Sequence, residues 1–144
     1  MANLRICNEI NNLKSDPPEG ISISIEDNLN SVDAMIFGPE NSPWEGGIFP
    51  LKLTIPDDYP HKAPNVKFLT MIFHPNIYKS GNICLDILQN KWSPVYDIRT
   101  ILISIQSLLT DPNIDSPANT EAANLYSNNI KEYNKRIRKI IENN

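Results

Sequence analysis

Cys84 is the residue of this 144-residue chain whose surroundings are hardest to explain by packing alone. A lone cysteine is ordinarily a small buried hydrophobe. Cys7 keeps that reading, because it falls near the apolar face of a helical pattern. Cys84 departs from it. It lies in a stretch of about thirty residues with little periodicity, before the Ile98 helix, and loops longer than about 15 residues are uncommon in compact domains unless they serve a function. The stretch carries His74-Pro75-Asn76, then Gly81-Asn82-Ile83-Cys84-Leu85-Asp86, then Trp92-Ser93-Pro94. An amide, Asn76, and a carboxylate, Asp86, therefore stand within ten residues of the thiol.

Two chemistries use a thiol in such a setting. A cysteine hydrolase needs a histidine base to generate the thiolate and to protonate the leaving group. His61 and His74 are the only histidines, and neither forms an evident oriented pair with Cys84. An acyl carrier has looser needs. Its thiol accepts an acyl group by thioester exchange and is later displaced by an amine, so the demanding step is stabilising the tetrahedral oxyanion. A neutral amide donor such as Asn76 suits that step, and losing one such donor costs on the order of 3 kcal/mol.

The elements that must position these residues follow from proline and periodicity. Nine of the twelve prolines lie between Pro17 and Pro75 and none follows Pro117. Proline breaks helix interiors, so the middle of the chain reads as strands and loops and both ends as helix. Ile6, Ile10 and Leu13 mark an amphipathic helix over Ala2–Ser15, ended by Pro17-Pro18. Ile21–Ile25 alternates strictly and reads as a half-buried strand, with a turn at Asp27-Asn28. Further strands are expected at Val32–Phe37, Ile48–Ile55 and Val66–Leu69. Ile98, Ile101, Leu102, Ile105, Leu108 and Leu109 form a helical stripe ended by Asp111-Pro112. Ser116-Pro117 is read as opening another helix with Ala118, Ala122 and Leu125. Ile130–Ile141 closes the chain with Ile130, Ile137, Ile140 and Ile141 on one side and Lys131, Lys135, Arg136, Arg138 and Lys139 largely on the other. The predicted class is α+β: an N-terminal helix, a four-stranded antiparallel meander, then C-terminal helices, in a single domain spanning residues 1–144.

Composition excludes several classes. Two cysteines cannot build a disulfide framework, and they lack the spacing of a zinc site, so no metal is expected. No apolar run approaches the roughly 18 residues of a membrane span, and no N-x-Ser/Thr acceptor occurs among the many asparagines. The expectation is a reduced, soluble, intracellular protein without membrane contact. A net charge of -4 argues against direct nucleic-acid binding. Charge is segregated, with nine acidic residues against one lysine over 15–60 and five basic against two acidic over 129–144. The basic helix reads as a solvated face or as a site for an acidic partner.

Five motifs occur together and in order: Tyr59-Pro60 with Pro64; His74-Pro75-Asn76; Gly81-Asn82-Ile83-Cys84-Leu85-Asp86-Ile87-Leu88; Trp92-Ser93-Pro94; and Leu109-Thr110-Asp111-Pro112-Asn113. In order and spacing they resemble the ubiquitin-conjugating enzyme family over essentially the whole chain. Leu88-Gln89-Asn90-Lys91-Trp92, Ser104-Ile105-Gln106-Ser107-Leu108 and Ser116-Pro117-Ala118-Asn119-Thr120-Glu121-Ala122 look most like the branch known for histone ubiquitination and DNA-damage tolerance. The N-terminal Met1-Ala2-Asn3-Leu4-Arg5-Ile6 is closer in length to the general-purpose branch.

The resemblance implies a transferase in which Cys84 accepts the C-terminal glycine of ubiquitin from the activating enzyme. Cys84 would then yield it to a lysine amine or a ligase cysteine. Asn76 would support the loop and the oxyanion, and Asp86 would lie beside the incoming lysine. Only about 0.1% of free lysine is neutral at pH 7.4, and a carboxylate alone would raise its pKa. Asp86 is therefore read as positioning the amine and not as a base. Ser116 stands at a gate position where many relatives carry an acid; it reads either as the cap of the next helix or as a gate that phosphorylation would charge. The implied ligase surface comprises Arg5, His61, Pro94 and Val95, shared with the activating enzyme, and Ser22 marks a back surface for a second ubiquitin. Each of these also reads simply as loop, helix or strand surface. No cofactor is implied, since ATP is used by the activating enzyme. The implied partners are ubiquitin, its activating enzyme, a RING-type or other ligase and protein substrates, histone among the candidates, in cytoplasm and nucleus. Two departures stand out. Leu4 and Asn8 occupy positions often basic in the family, leaving Arg5 and Lys14, and Val32 replaces a usual strand tryptophan. Carriage of a ubiquitin-like modifier is the alternative, as is a non-catalytic ubiquitin-binding scaffold. The acidic charge and the short Ile36–Ile48 connection favour ubiquitin, and the presence of Cys84 opposes the scaffold.

Overall fold

The computed structural model describes residues 2–25 and 30–143. Helix α1 (Ala2–Ser15) buries Ile6, Ile10 and Leu13 and stops short of Pro17. Strands β1 (Ile21–Ile25), β2 (Ser31–Phe37), β3 (Ile48–Thr54) and β4 (Asn65–Phe68) follow, each within one residue of the expected bounds. They pair antiparallel in the order β1-β2-β3-β4, the predicted meander. The Asp27-Asn28 turn lies outside the described residues.

Alternation along the strands sets the two faces. Ile21 pairs with Ile36, Ala34 with Leu51, Val32 with Leu53 and Leu51 with Phe68, so these residues form one apolar, buried face, with Ile23 half-buried beside them. Val32 is fully buried in this core. The opposite face carries Ser22, Ser24, Met35, Lys52 and Lys67 toward solvent.

The buried face is covered by α1 and by α2 (Ile98–Thr110). All six predicted stripe residues of α2 are buried, and burying each is worth about 1.5–3 kcal/mol. Asp97 caps the helix, its side chain accepting from Thr100 N at 2.8 Å.

Two expectations about the C-terminal helices need correction. The helix after α2 does not open at Ser116-Pro117. It is α3 (Thr120–Asn128), capped by the Asn119 side chain, which accepts from Ala122 N at 3.0 Å. The reason is tertiary: Ala118 N and Asn119 N both donate to Pro75 O, at 2.7 and 3.0 Å, so these donors are held by the cysteine loop before the helix starts. In α4 (Ile130–Glu142), Ile137 is buried as expected, but Ile130 at the first helical position is 47% exposed. Tyr133, one turn on, takes the central place instead.

Candidate active site

The site begins at the C-terminal end of α2. A helix leaves its last carbonyls without intrahelical partners, and buried ones must find donors elsewhere. Here two aromatic side chains from distant segments supply them. Trp44 Nε1 donates to Leu109 O at 2.9 Å, and His74 Nε2 donates to Leu108 O at 2.6 Å. The other ring nitrogen, His74 Nδ1, accepts from Asn76 N at 2.9 Å. This fixes the tautomer and bends the chain at Pro75. Asn76 then faces the segment after α2. Its Nδ2 donates to Asn113 O at 2.6 Å and its Oδ1 accepts from Asn113 N at 2.8 Å.

From Asn76 the chain makes a narrow loop and returns to Cys84. Ile77 bridges Ile83, Tyr78 N donates to Asn82 O at 2.9 Å, and Gly81 N donates to Tyr78 O at 2.9 Å. Gly81 closes the turn with φ of +95°, and a Cβ there would lie 2.2 Å from Phe68 O, so only glycine fits against β4. Cys84 N donates to Asn76 O at 2.8 Å, which ties the backbone of this half-buried residue to the His74-Pro75-Asn76 bend. A 3-10 turn at Asp86–Leu88 follows, with the Asp86 side chain exposed. The long stretch thus has a dense internal order that periodicity could not reveal.

His74 is fully buried, and burial depresses its pKa to about 4, against the opposing pull of the Leu108 carbonyl. With both nitrogens committed, the ring has no free position for a base, which removes the Cys84–His74 hydrolase pair. The sign of the pH effect follows. The unfolded chain binds a proton near pH 6.5, the folded chain only near 4, so folding free energy is lost as pH falls through that window. The loss reaches about 3 kcal/mol near pH 4. In an NMR titration the His74 ring is expected to stay neutral down to about pH 5; a midpoint near the free value would contradict the assignment.

Ser116 is exposed in the irregular segment between α2 and α3, and the cap reading passes to Asn119. Among the described residues, no group of three or more His, Cys, Asp or Glu is placed to hold a metal ion, and no helix is long and apolar enough to cross a membrane.

Comparison with known proteins agrees with this geometry. The family model described as ubiquitin-conjugating enzyme matches residues 5–141. The chain belongs to the ubiquitin-conjugating enzyme family. It is 54% identical over 142 residues to ubiquitin-conjugating enzyme E2 3 of Arabidopsis thaliana, covering 98% of this chain and 95% of that protein. It is 50% identical to ubiquitin-conjugating enzyme E2 2 of Neurospora crassa, covering 98% and 94%. Ubiquitin-conjugating enzyme E2 1 of Caenorhabditis elegans is 52% identical over 96% of this chain and 72% of its own length. The protein is thus a transferase working through a thioester, and its family entails ubiquitin, an activating enzyme and a ligase as partners.

In this ubiquitin-conjugating enzyme, Arg5, His61, Pro94 and Val95 belong to one connected region. Arg5 donates to Tyr96 O at 2.7 Å and lies 5.4 Å from the Tyr59 ring centroid. Trp92 Nε1 donates to Pro60 O at 2.8 Å, tying the two loops together. His61, Pro94 and Val95 are exposed at their tips, Val95 by 83%. Arg5 is a structural anchor as much as a surface residue. Ser22 lies apart, on the outer face of β1.

The residue sequence reasoning missed is Glu9. Its carboxylate pairs with Arg5 at 3.0 Å, accepts from Tyr59 Oη at 2.7 and 2.9 Å, and accepts from Ile98 N, the first residue of α2, at 2.8 Å. Burial and then the Glu9 carboxylate raise the Tyr59 pKa, keeping that hydroxyl a donor. A carboxylate at a helix N-terminus is favourable, and this one also joins α1, α2 and the Tyr59 loop. One polar residue in an amphipathic pattern carries no such signal. Asn113, the partner of Asn76, likewise has no local pattern that marks its role.

Proposed function

We propose that Cys84 carries ubiquitin as a thioester, received from the activating enzyme and passed to a lysine amine or a ligase cysteine. The observation that carries this reading is the Cys84 N to Asn76 O bond at 2.8 Å, which holds half-buried Cys84 on the motif loop while Cys7 sits in α1. Asn76 supports the loop and the oxyanion. Asp86, exposed two residues beyond the thiol, positions the incoming amine, and Ser116 acts at the gate. Arg5, His61, Pro94 and Val95 meet the activating enzyme and a RING-type or other ligase in competition, and Ser22 contributes to a back surface for a second ubiquitin. The chain's own chemistry needs no cofactor, ATP being consumed by the activating enzyme. The branch-like segments support protein substrates including histone, a part in DNA-damage tolerance, and action in both cytoplasm and nucleus.

Incubation with activating enzyme, ATP and ubiquitin, with each ubiquitin-like modifier run in parallel, tests the reading. The expected product is a thiol-labile adduct one ubiquitin heavier, within the first minutes and in stoichiometric yield. Charging by another modifier in place of ubiquitin would reassign the cargo, and charging by none would sink the carrier.

A further inference from the structure

Asp86 already has a cation of this chain beside it. The 3-10 turn that begins at this residue closes with two main-chain bonds to one carbonyl: Gln89 N and Lys91 N both donate to Asp86 O, each at 3.0 Å. The second bond turns Lys91 back over Asp86, and its Nζ lies 3.9 Å from Asp86 Oδ2. Both side chains are largely exposed, at 70% and 57%. An ammonium from the chain itself therefore stands against the carboxylate that the acceptor lysine is proposed to use.

We propose that Lys91 is an internal competitor for the acceptor lysine at Asp86, a specificity-determining residue for the transfer step. The inference rests on the positioning role given to Asp86 above. A substrate lysine arrives almost entirely as ammonium, as the same cation that Lys91 presents. Its approach to Asp86 Oδ2 is opposed by Lys91 until that side chain swings away. Exposed pairs of this kind are weak, so the competition is adjustable and does not block the site. Its consequence is selectivity: an acceptor held in place by a ligase or by its own contacts displaces Lys91 easily, whereas a free amine must compete for the position. Lys91 thereby slows discharge to unselected amines and leaves ligase-directed transfer nearly intact.

The test uses the charged full-length enzyme, purified away from activating enzyme and ATP, and two small nucleophiles. Lysine needs the carboxylate; hydroxylamine attacks uncharged and does not. Lys91→Met, which keeps the chain length and drops the charge, is expected to raise the second-order rate constant for lysine discharge about two- to fivefold. Its hydroxylamine rate is expected to match the wild type. Lys91→Arg, which keeps a cation over Asp86, is expected to preserve the wild-type ratio of the two rates. The Lys91→Met gain should shrink as salt is raised, because the pair is open to solvent, and should vanish in an Asp86→Asn background. A general loosening of the loop would move both nucleophiles together. An unchanged lysine-to-hydroxylamine ratio in Lys91→Met, or the same rise in Lys91→Arg, overturns the proposal while the carrier reading stands. Failure of the wild type to form the thioester overturns that reading, and this inference with it.

Discussion

Cys84→Ser is expected to give no thiol-labile adduct with ubiquitin, and at most a slow accumulation of an ester that survives reducing agent. A serine hydroxyl is a far weaker nucleophile than a thiol at neutral pH, because a thiol is in part thiolate there whereas an alcohol is not measurably ionised. Once formed, an oxygen ester also resists amines better than a thioester does. Discharge to lysine should therefore fall by at least about 10³-fold, the scale on which loss of a covalent nucleophile registers. The variant should fold normally. The link between residue 84 and the loop is its main-chain N–H to Asn76 O, which the substitution keeps. Cys7→Ser is the matched control, since that half-buried thiol lies in α1, and its charging should equal the wild type. Loss of the labile adduct in Cys7→Ser, with full charging of Cys84→Ser, would move the carrier to the helix and undo the assignment.

Asn76→Ala is expected to slow lysine discharge by about 10²-fold while charging of Cys84 proceeds. Two effects combine. The amide that is offered as oxyanion support disappears, and Asn113 loses both the acceptor for its N–H and the donor to its carbonyl. Because Asn113 is exposed, water replaces much of what is lost, and the stability cost should stay near 1–2 kcal/mol. The two contributions separate by measurement. Thermal unfolding reports the loop, and discharge far below the melting temperature reports the chemistry. A variant that melts lower yet discharges within twofold of the wild type would confine Asn76 to holding the loop.

Much of this architecture is written locally. Ile21–Ile25 alternates because one face of a meander is buried, and the α2 stripe repeats at helical spacing because one side meets the sheet; both patterns are visible without coordinates. The ordered motifs likewise made the family and the thiol legible. The cysteine loop was not legible as structure. Its order comes from donors and acceptors contributed by residues far apart in the chain: Trp44 with Leu109, His74 with Leu108, Asn76 with Asn113 and Ala118 with Pro75. Nor was the start of α3, where Ser116-Pro117 offered a good local cap and lost to Asn119.

The amino-acid sequence by itself determined the α+β order, the buried stripe of each element, the family, and which of two cysteines stands among polar neighbours. Those properties depend on side-chain type and near spacing, and both are carried in the chain. Only the tertiary structure decided that His74 is a locked neutral brace and no base, that Glu9 joins two helices and a loop, and that Asp86 faces Lys91. Each of those outcomes depends on which buried or folded-back group meets which partner, and hydrogen-bond satisfaction across long sequence separations is settled only when the core closes.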